Sequence, residues 1–279
     1  MTGDQTGQIV VVAGSGRYPD LLIGELIDRE YDVKILALPG FDPDQKFQYL
    51  IVDSPSLETF TQSLERLHHD GYYHIAFAGA VRRPRQSSGA VADQSGLPDL
   101  RQGDDAILKQ IVQITENAGF EVIGGHQLVP ELVATPGILG QQSPSAEDRQ
   151  DVARAAEIVR VIGALDVGQA AVVVNRQCVA VETAAGTNAM LDFAAKTIDR
   201  VNPISDHARG ILYKAPKPGQ ELRIDMPTVG TDTVRHAAAS GLSGIAIEAH
   251  TVLILDRSDV IAAADAHEMF VWARNPGEE

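Results

Sequence analysis

A single cysteine in 279 residues leaves Cys178 without a partner in the chain, which excludes an intrachain disulfide framework and a multi-cysteine zinc site. It stands in the apolar run Cys178-Val179-Ala180-Val181, where a small, soft side chain is expected to be buried rather than nucleophilic. Long apolar runs are missing as well. None approaches the ~18 residues of a membrane helix, and the first seven residues are polar with no signal-peptide pattern. Positive charge is scarce, with 23 Lys+Arg against 38 Asp+Glu and a net charge of −15. Such a surface repels phosphate backbones and anionic headgroups, so nucleic-acid binding and polybasic membrane docking are not expected. The eight histidines show no H-E-x-x-H or similar ligand spacing. Aromatics are few at 5%, yet hydrophobic residues reach 44%, a globular composition. The expectation is a cytoplasmic protein that is not integral to a membrane.

What is present is alternation of strand and helix. Gln8–Ala13 is a continuous apolar run, as a strand buried on both faces should be. Gly14-Ser15-Gly16 breaks it, and Pro19 suits the first turn of a helix over 20–29. A second buried strand follows over 33–38. Ser54-Pro55 opens a helix whose Leu57, Phe60, Leu64 and Leu67 recur at helical spacing. His74–Ala78 reads as a strand, Asp104 and Asp105 start another helix, and 120–123 forms a short strand. This order implies a parallel sheet covered on both faces. Between Gly124 and Ser145 the glycines and prolines cluster, which reads as a linker over 125–145.

The second half has another rhythm. Ser145 and Asp148 form a capping box. Ala170–Val174 and 178–182 are separated by so short a gap that they must form an antiparallel hairpin. Helices are expected from Gly186 and over 231–240 and 258–266, with strands at 211–213, Gly244–Glu248, 252–255 and through Phe270-Val271-Trp272. The fold class is α/β: a Rossmann-like parallel-sheet domain over 1–124, then a mixed α+β domain over 146–279.

Three motifs carry chemistry. Gly14-Ser15-Gly16 lies between a buried strand and a helix, where backbone N–H groups can receive a phosphate or sugar; a tight turn is the alternative. The dinucleotide fingerprint is incomplete, because Pro19 stands at its third glycine position, so hydride transfer is weakly supported. Arg82-Arg83-Pro84-Arg85, just past a strand end, could face an anion or simply be solvated. The densest motif runs from Lys214-Ala215-Pro216-Lys217-Pro218 to Arg223-Ile224-Asp225-Met226-Pro227-Thr228. Stiff prolines orient two ammonium groups, and a carboxylate follows among apolar neighbours. Lysines for phosphate and a carboxylate for a divalent metal suit phosphoryl chemistry, while a structural salt bridge explains the same residues.

These segments, with Phe77-Ala78-Gly79, Gly103-Asp104-Asp105, Leu165-Asp166-Val167-Gly168-Gln169, Val181-Glu182 and Gly186-Thr187, resemble the LpxI-type UDP-2,3-diacylglucosamine pyrophosphatases of lipid A synthesis. The resemblance spans nearly the whole chain. It implies hydrolysis of the pyrophosphate of an acylated UDP-sugar to UMP and 2,3-diacylglucosamine 1-phosphate (lipid X), dependence on a divalent metal (Mg²⁺ or Mn²⁺), and a homodimer. By position, Asp225 matches the catalytic, metal-associated aspartate; Lys214 and Lys217 match positions lining the second domain, and the charge on the substrate gives them a catalytic role in neutralising the leaving phosphate. Gly14, Ser15, Gly16, Gly79, Gln169, Thr187 and Thr228 match substrate-binding positions. Two residues depart from the pattern. Ala80 stands where relatives carry Asn or Gln, and Asn188 replaces an aspartate. Those losses favour the alternative reading, a non-catalytic protein that binds a nucleotide sugar or lipid.

Overall fold

The computed structural model describes residues 7–80, 103–201 and 210–278. Arg82, Arg83 and Arg85 lie outside the described residues. The chain divides into two compact units, Met1–Pro130 with Glu221–Asp225, and Glu131–Gln220 with Met226–Glu279.

The first unit runs β1 (Gln8–Ala13), α1 (Tyr18–Asp28), β2 (Asp32–Ala37), β3 (Ile51–Asp53), α2 (Phe60–His69), β4 (His74–Ala78), α3 (Asp104–Asn117), β5 (Glu121–Val122) and α4 (Gly125–Leu128). Its five strands are parallel in the order β3-β2-β1-β4-β5. β1 is central, and both of its faces are buried. Val10 and Val12 join a core with Leu64 and Leu67 of α2 and Val112 of α3, while Ile9 and Val11 are fully buried on the opposite face, as are Leu22, Ile23 and Leu26 of α1. That explains the unbroken apolar run. The strand order reverses direction between β1 and β4. In open α/β sheets this switch point leaves a crevice beyond the carboxyl ends of the two strands.

The second unit continues with β6 (Gly137–Leu139), α5 (Ala146–Ala164), β7 (Ala170–Val174), β8 (Gln177–Val181), α6 (Gly186–Val201), β9 (Ile211–Lys214), β10 (Thr228–Val229), α7 (Thr231–Ala239), β11 (Gly244–Glu248), β12 (Leu253–Ile254), α8 (Arg257–Ala266) and β13 (Phe270–Arg274). Its main sheet is mixed, in the order β6-β13-β11-β9-β7-β8. α5 packs on one face through Val152, Ala155 and Val159; α6, α7 and α8 cover the other. The α/β class and the two-part organisation are those expected from sequence.

Several local readings change. β7 and β8 do form the antiparallel hairpin. Its turn places Asn175 and Arg176 at φ 48° and 64°, the double left-handed geometry of a tight hairpin. Asp151 of α5 accepts both of their backbone N–H groups. The runs at 244–248 and 252–255 fall in different sheets. β11 lies between β9 and β13 with parallel pairing on both sides, and β12 pairs with β10 in a separate two-stranded sheet. Residues 125–145, read as a linker, carry α4, a 3₁₀ turn (Pro130–Leu132) and β6, an edge strand antiparallel to β13. The polar backbone there is satisfied locally: the Ala134 N–H donates to the Val252 carbonyl, and Arg257 donates to the Val133 carbonyl at 2.7 Å. Cys178 is exposed, because β8 is the outer strand of its sheet.

Candidate active site

At the switch point of the first unit, the turns after β1 and β4 are joined to each other. The Gly14 N–H donates to the Ala78 carbonyl at 2.8 Å, and Ser15 and Ala80 exchange backbone hydrogen bonds of 2.9 Å in both directions. The Ser15 hydroxyl also donates to the Ala80 carbonyl at 3.1 Å. Ser15 thus commits both of its donors to the facing turn. Ala80 takes part through its backbone alone.

Gly14 and Gly79 are required by space. A Cβ on Gly14 would lie 2.5 Å from the Ala80 carbonyl oxygen. One on Gly79, at φ +87°, would lie 2.7 Å from both the Ser15 carbonyl and the Pro19 ring. Gly16, at φ +103°, meets nothing. Gly79→Ala should therefore destabilise the protein by about 2–3 kcal/mol in urea unfolding, from backbone strain and overlap together. A loss under about 0.5 kcal/mol would show that the two turns can separate freely.

Asp225 belongs to this first unit, although its place in the sequence assigns it to a C-terminal catalytic domain over 146–279. The physical reason lies in its neighbours. Ile224 packs against the core formed by α2, α3 and the sheet. Arg223 bridges Glu116 of α3 at 2.9 Å and Glu221 at 2.8 Å. The Asp225 N–H donates to the Glu221 carbonyl at 3.0 Å. Hydrogen bonds from Arg223 hold the Glu221 carboxyl below the usual carboxylate range, and Glu221 in turn holds the guanidinium firmly protonated.

Beside this segment, Tyr18 and His126 line the backbone after β5. The Tyr18 hydroxyl sits where a Cβ on Gly125 would fall, and burial pushes it well above its ordinary value. Nδ1 of His126 is buried with no hydrogen-bond partner among the described residues. Burial lowers the imidazole below the usual histidine range, against the opposing pull of Glu221. The unfolded chain then takes up this proton at a higher pH than the folded chain. Stability should fall as pH drops from the ordinary histidine value toward the folded one. An NMR titration should place the His126 midpoint below about 6.5; a higher midpoint would mean that Glu221 outweighs burial.

In the second unit the structure brings together Gln169, Thr187 and Lys214, and adds Glu182. Lys214 ends β9 and is only 6% exposed. Its ammonium donates to the Thr187 hydroxyl at 3.0 Å. Thr187, in the first turn of α6, donates to Oε1 of Glu182. The other oxygen of Glu182 accepts the Gln169 N–H at 3.1 Å. The Gln169 carbonyl accepts from the Ala215 N–H, so its backbone is fixed on both sides. Its side-chain oxygen is buried without a hydrogen-bond partner among the described residues. Gly168 is forced by the same closeness, since a Cβ there would strike the Glu182 carbonyl.

The other sequence-predicted residues lie differently. Lys217, 12% exposed at its side chain, pairs with Asp166 at 2.6 Å. Thr228 opens β10 opposite Leu253 and makes no hydrogen bond to the Lys214 group among the described residues. Asn188 is exposed on α6. Glu182 enters the sequence reading only within the Val181-Glu182 match, with no role of its own. The one available signal for Glu182 was an acid closing an apolar strand five residues before Thr187.

No group of three or more His, Cys, Asp or Glu side chains suited to a metal occurs among the described residues. A single carboxylate is nevertheless a suitable donor for a hard divalent cation that is held mainly by substrate phosphates and water. No described helix is long and apolar enough to cross a membrane.

Residues 8–132 match the LpxI N-terminal domain, and residues 135–272 match the LpxI C-terminal domain. The chain is also similar to the UDP-2,3-diacylglucosamine pyrophosphatase LpxI of Caulobacter vibrioides. Identity is 36% over 275 residues, covering 96% of this chain and 98% of the relative.

Proposed function

Since the chain belongs to the LpxI family, we propose that it hydrolyses the pyrophosphate of UDP-2,3-diacylglucosamine to UMP and 2,3-diacylglucosamine 1-phosphate. The observation that carries this reading is the 36% identity to an enzyme of that name across 96% of the chain. With it we propose a homodimer in the cytoplasm.

The chemistry asks for charge compensation, because two adjacent anionic phosphates repel an incoming water. Lys214 provides a nearly water-free ammonium with one N–H on Thr187, leaving the other two for phosphate oxygens. A fixed cation in a dry site acts most strongly where charge develops on the leaving phosphate. Gln169 supplies a buried acceptor for a hydroxyl or N–H of the sugar or base. Lys217 adds a second cation, moderated by Asp166. Gly14, Ser15 and Gly79 lock the two turns at the switch point together, and Gly16 leaves open space beside them for a ligand. Asp225 would hold Mg²⁺ or Mn²⁺, which when bound would supply Lewis-acid chemistry to the pyrophosphate.

Chelation and substrate trimming test this reading. EDTA should stop turnover, and Mg²⁺ or Mn²⁺ should restore it. UDP-N-acetylglucosamine should be a far poorer substrate, since each buried methylene of an acyl chain is worth about 0.8 kcal/mol. Equal rates on both sugars would retain a hydrolase and discard the acylated substrate.

A further inference from the structure

We infer that Glu182 is a positioning residue for Lys214, acting through Thr187, and that Thr187 consequently donates no hydrogen bond to the substrate. The inference rests on the proposed function only in taking Lys214 as the cation that faces phosphate.

The argument is one of donors and acceptors. A threonine hydroxyl has one proton and two lone pairs, an ammonium can only donate, and an ionised carboxylate can only accept. In the 3.0 Å contact with Lys214 the Thr187 oxygen must therefore be the acceptor. In its contact with Glu182 it must be the donor. The relay has one direction, ammonium to hydroxyl to carboxylate, and the single hydroxyl proton is already committed. Thr187 is left with nothing to give a phosphate oxygen.

Glu182 is itself held rigidly. It is 6% exposed, one oxygen takes the Thr187 proton, and the other takes the Gln169 N–H. It lies beside the amino-terminal turn of α6. The register neighbours of Lys214 on the sheet, Ala170 on β7 and Ile247 on β11, carry no charge. Thr187 is its one hydrogen-bond partner among the described residues. A buried ammonium and a buried carboxylate one hydroxyl apart offset each other's desolvation. The same geometry fixes which two N–H directions of Lys214 remain for a ligand.

The test reads Lys214 directly, in the intact protein and without substrate. The ¹⁵N signal of its ammonium, assigned by its loss in Lys214→Arg, is titrated in wild type and variants. Glu182→Gln should lower the midpoint by about one unit or more, because removing a nearby anion disfavours the charged form. Thr187→Val should lower it too, and Thr187→Ser should restore it. In turnover, Glu182→Gln and Thr187→Val should each reduce kcat by about 10–100-fold with KM within about threefold, while Thr187→Ser stays within about threefold of wild type. An unmoved midpoint in Glu182→Gln overturns the inference. So does a Thr187→Val whose whole loss lies in KM, since Thr187 would then bind substrate itself. Should Glu182→Gln fail to fold, the Thr187→Val and Thr187→Ser pair decides. If wild type hydrolyses nothing, the proposed function fails alone, and the titration still gives the answer on Glu182.

Discussion

Asp225→Asn should yield a folded protein that has lost its turnover, by about 10²–10³-fold or more. The change keeps the shape of the side chain and removes the charge through which Asp225 would hold a divalent cation. Loss of several kcal/mol of transition-state stabilisation corresponds to that factor. The fold should survive because the anchors of the segment are other residues: Ile224 in the core, and Arg223 with Glu116 and Glu221. Thermal melting should therefore stay within a few degrees of wild type, and ligand binding should persist. A variant retaining more than about a tenth of the normal rate would remove Asp225 from the reaction.

Lys214→Ala should lower kcat by about 10²-fold, in line with the effect of removing one preorganised donor to a developing charge. A second consequence follows from burial. Without the ammonium, Glu182 keeps a carboxylate that is 6% exposed and unbalanced, which should cost about 3 kcal/mol of stability. Rates must accordingly be measured well below the melting temperature and referred to folded protein. Lys217→Ala should have the smaller effect on kcat, since that ammonium already shares its charge with Asp166 at 2.6 Å. If Lys214→Ala raises KM and leaves kcat unchanged, the lysine binds ground-state phosphate and no more.

Much of the fold is readable before any coordinates are seen, and the reasons are local. β1, β4 and β7 are continuous apolar runs because both of their faces are covered, and a run of that kind announces itself. Three short strands do not: Ile51–Asp53, Gly137–Leu139 and Thr228–Val229 are defined by their partners, not by any pattern of their own. The hairpin after Ala170 could be read from its short connection, whereas the parallel neighbours of Gly244–Glu248 could not, because they lie across intervening helices. Glu221–Asp225 is the sharpest case. Its attachment to the first unit depends on Arg223 meeting Glu116, 107 residues earlier, and on Ile224 entering a core built from α2, α3 and the sheet. No periodicity in a five-residue stretch records that. The site shows the same division. Lys214, Gln169 and Thr187 were readable as positions through family resemblance, yet the direction of the hydrogen bonds among them, and Glu182 at their end, emerge only from geometry.

The most direct measurement of the central claim is product identity. Purified protein, given UDP-2,3-diacylglucosamine with Mg²⁺ or Mn²⁺, should release UMP and 2,3-diacylglucosamine 1-phosphate in equal amounts, seen by ³¹P NMR and mass spectrometry, and Asp225→Asn should release neither at a comparable rate. Tight binding of the acylated sugar phosphate with no UMP formed under either metal would contradict the hydrolase reading and leave a binding protein in its place.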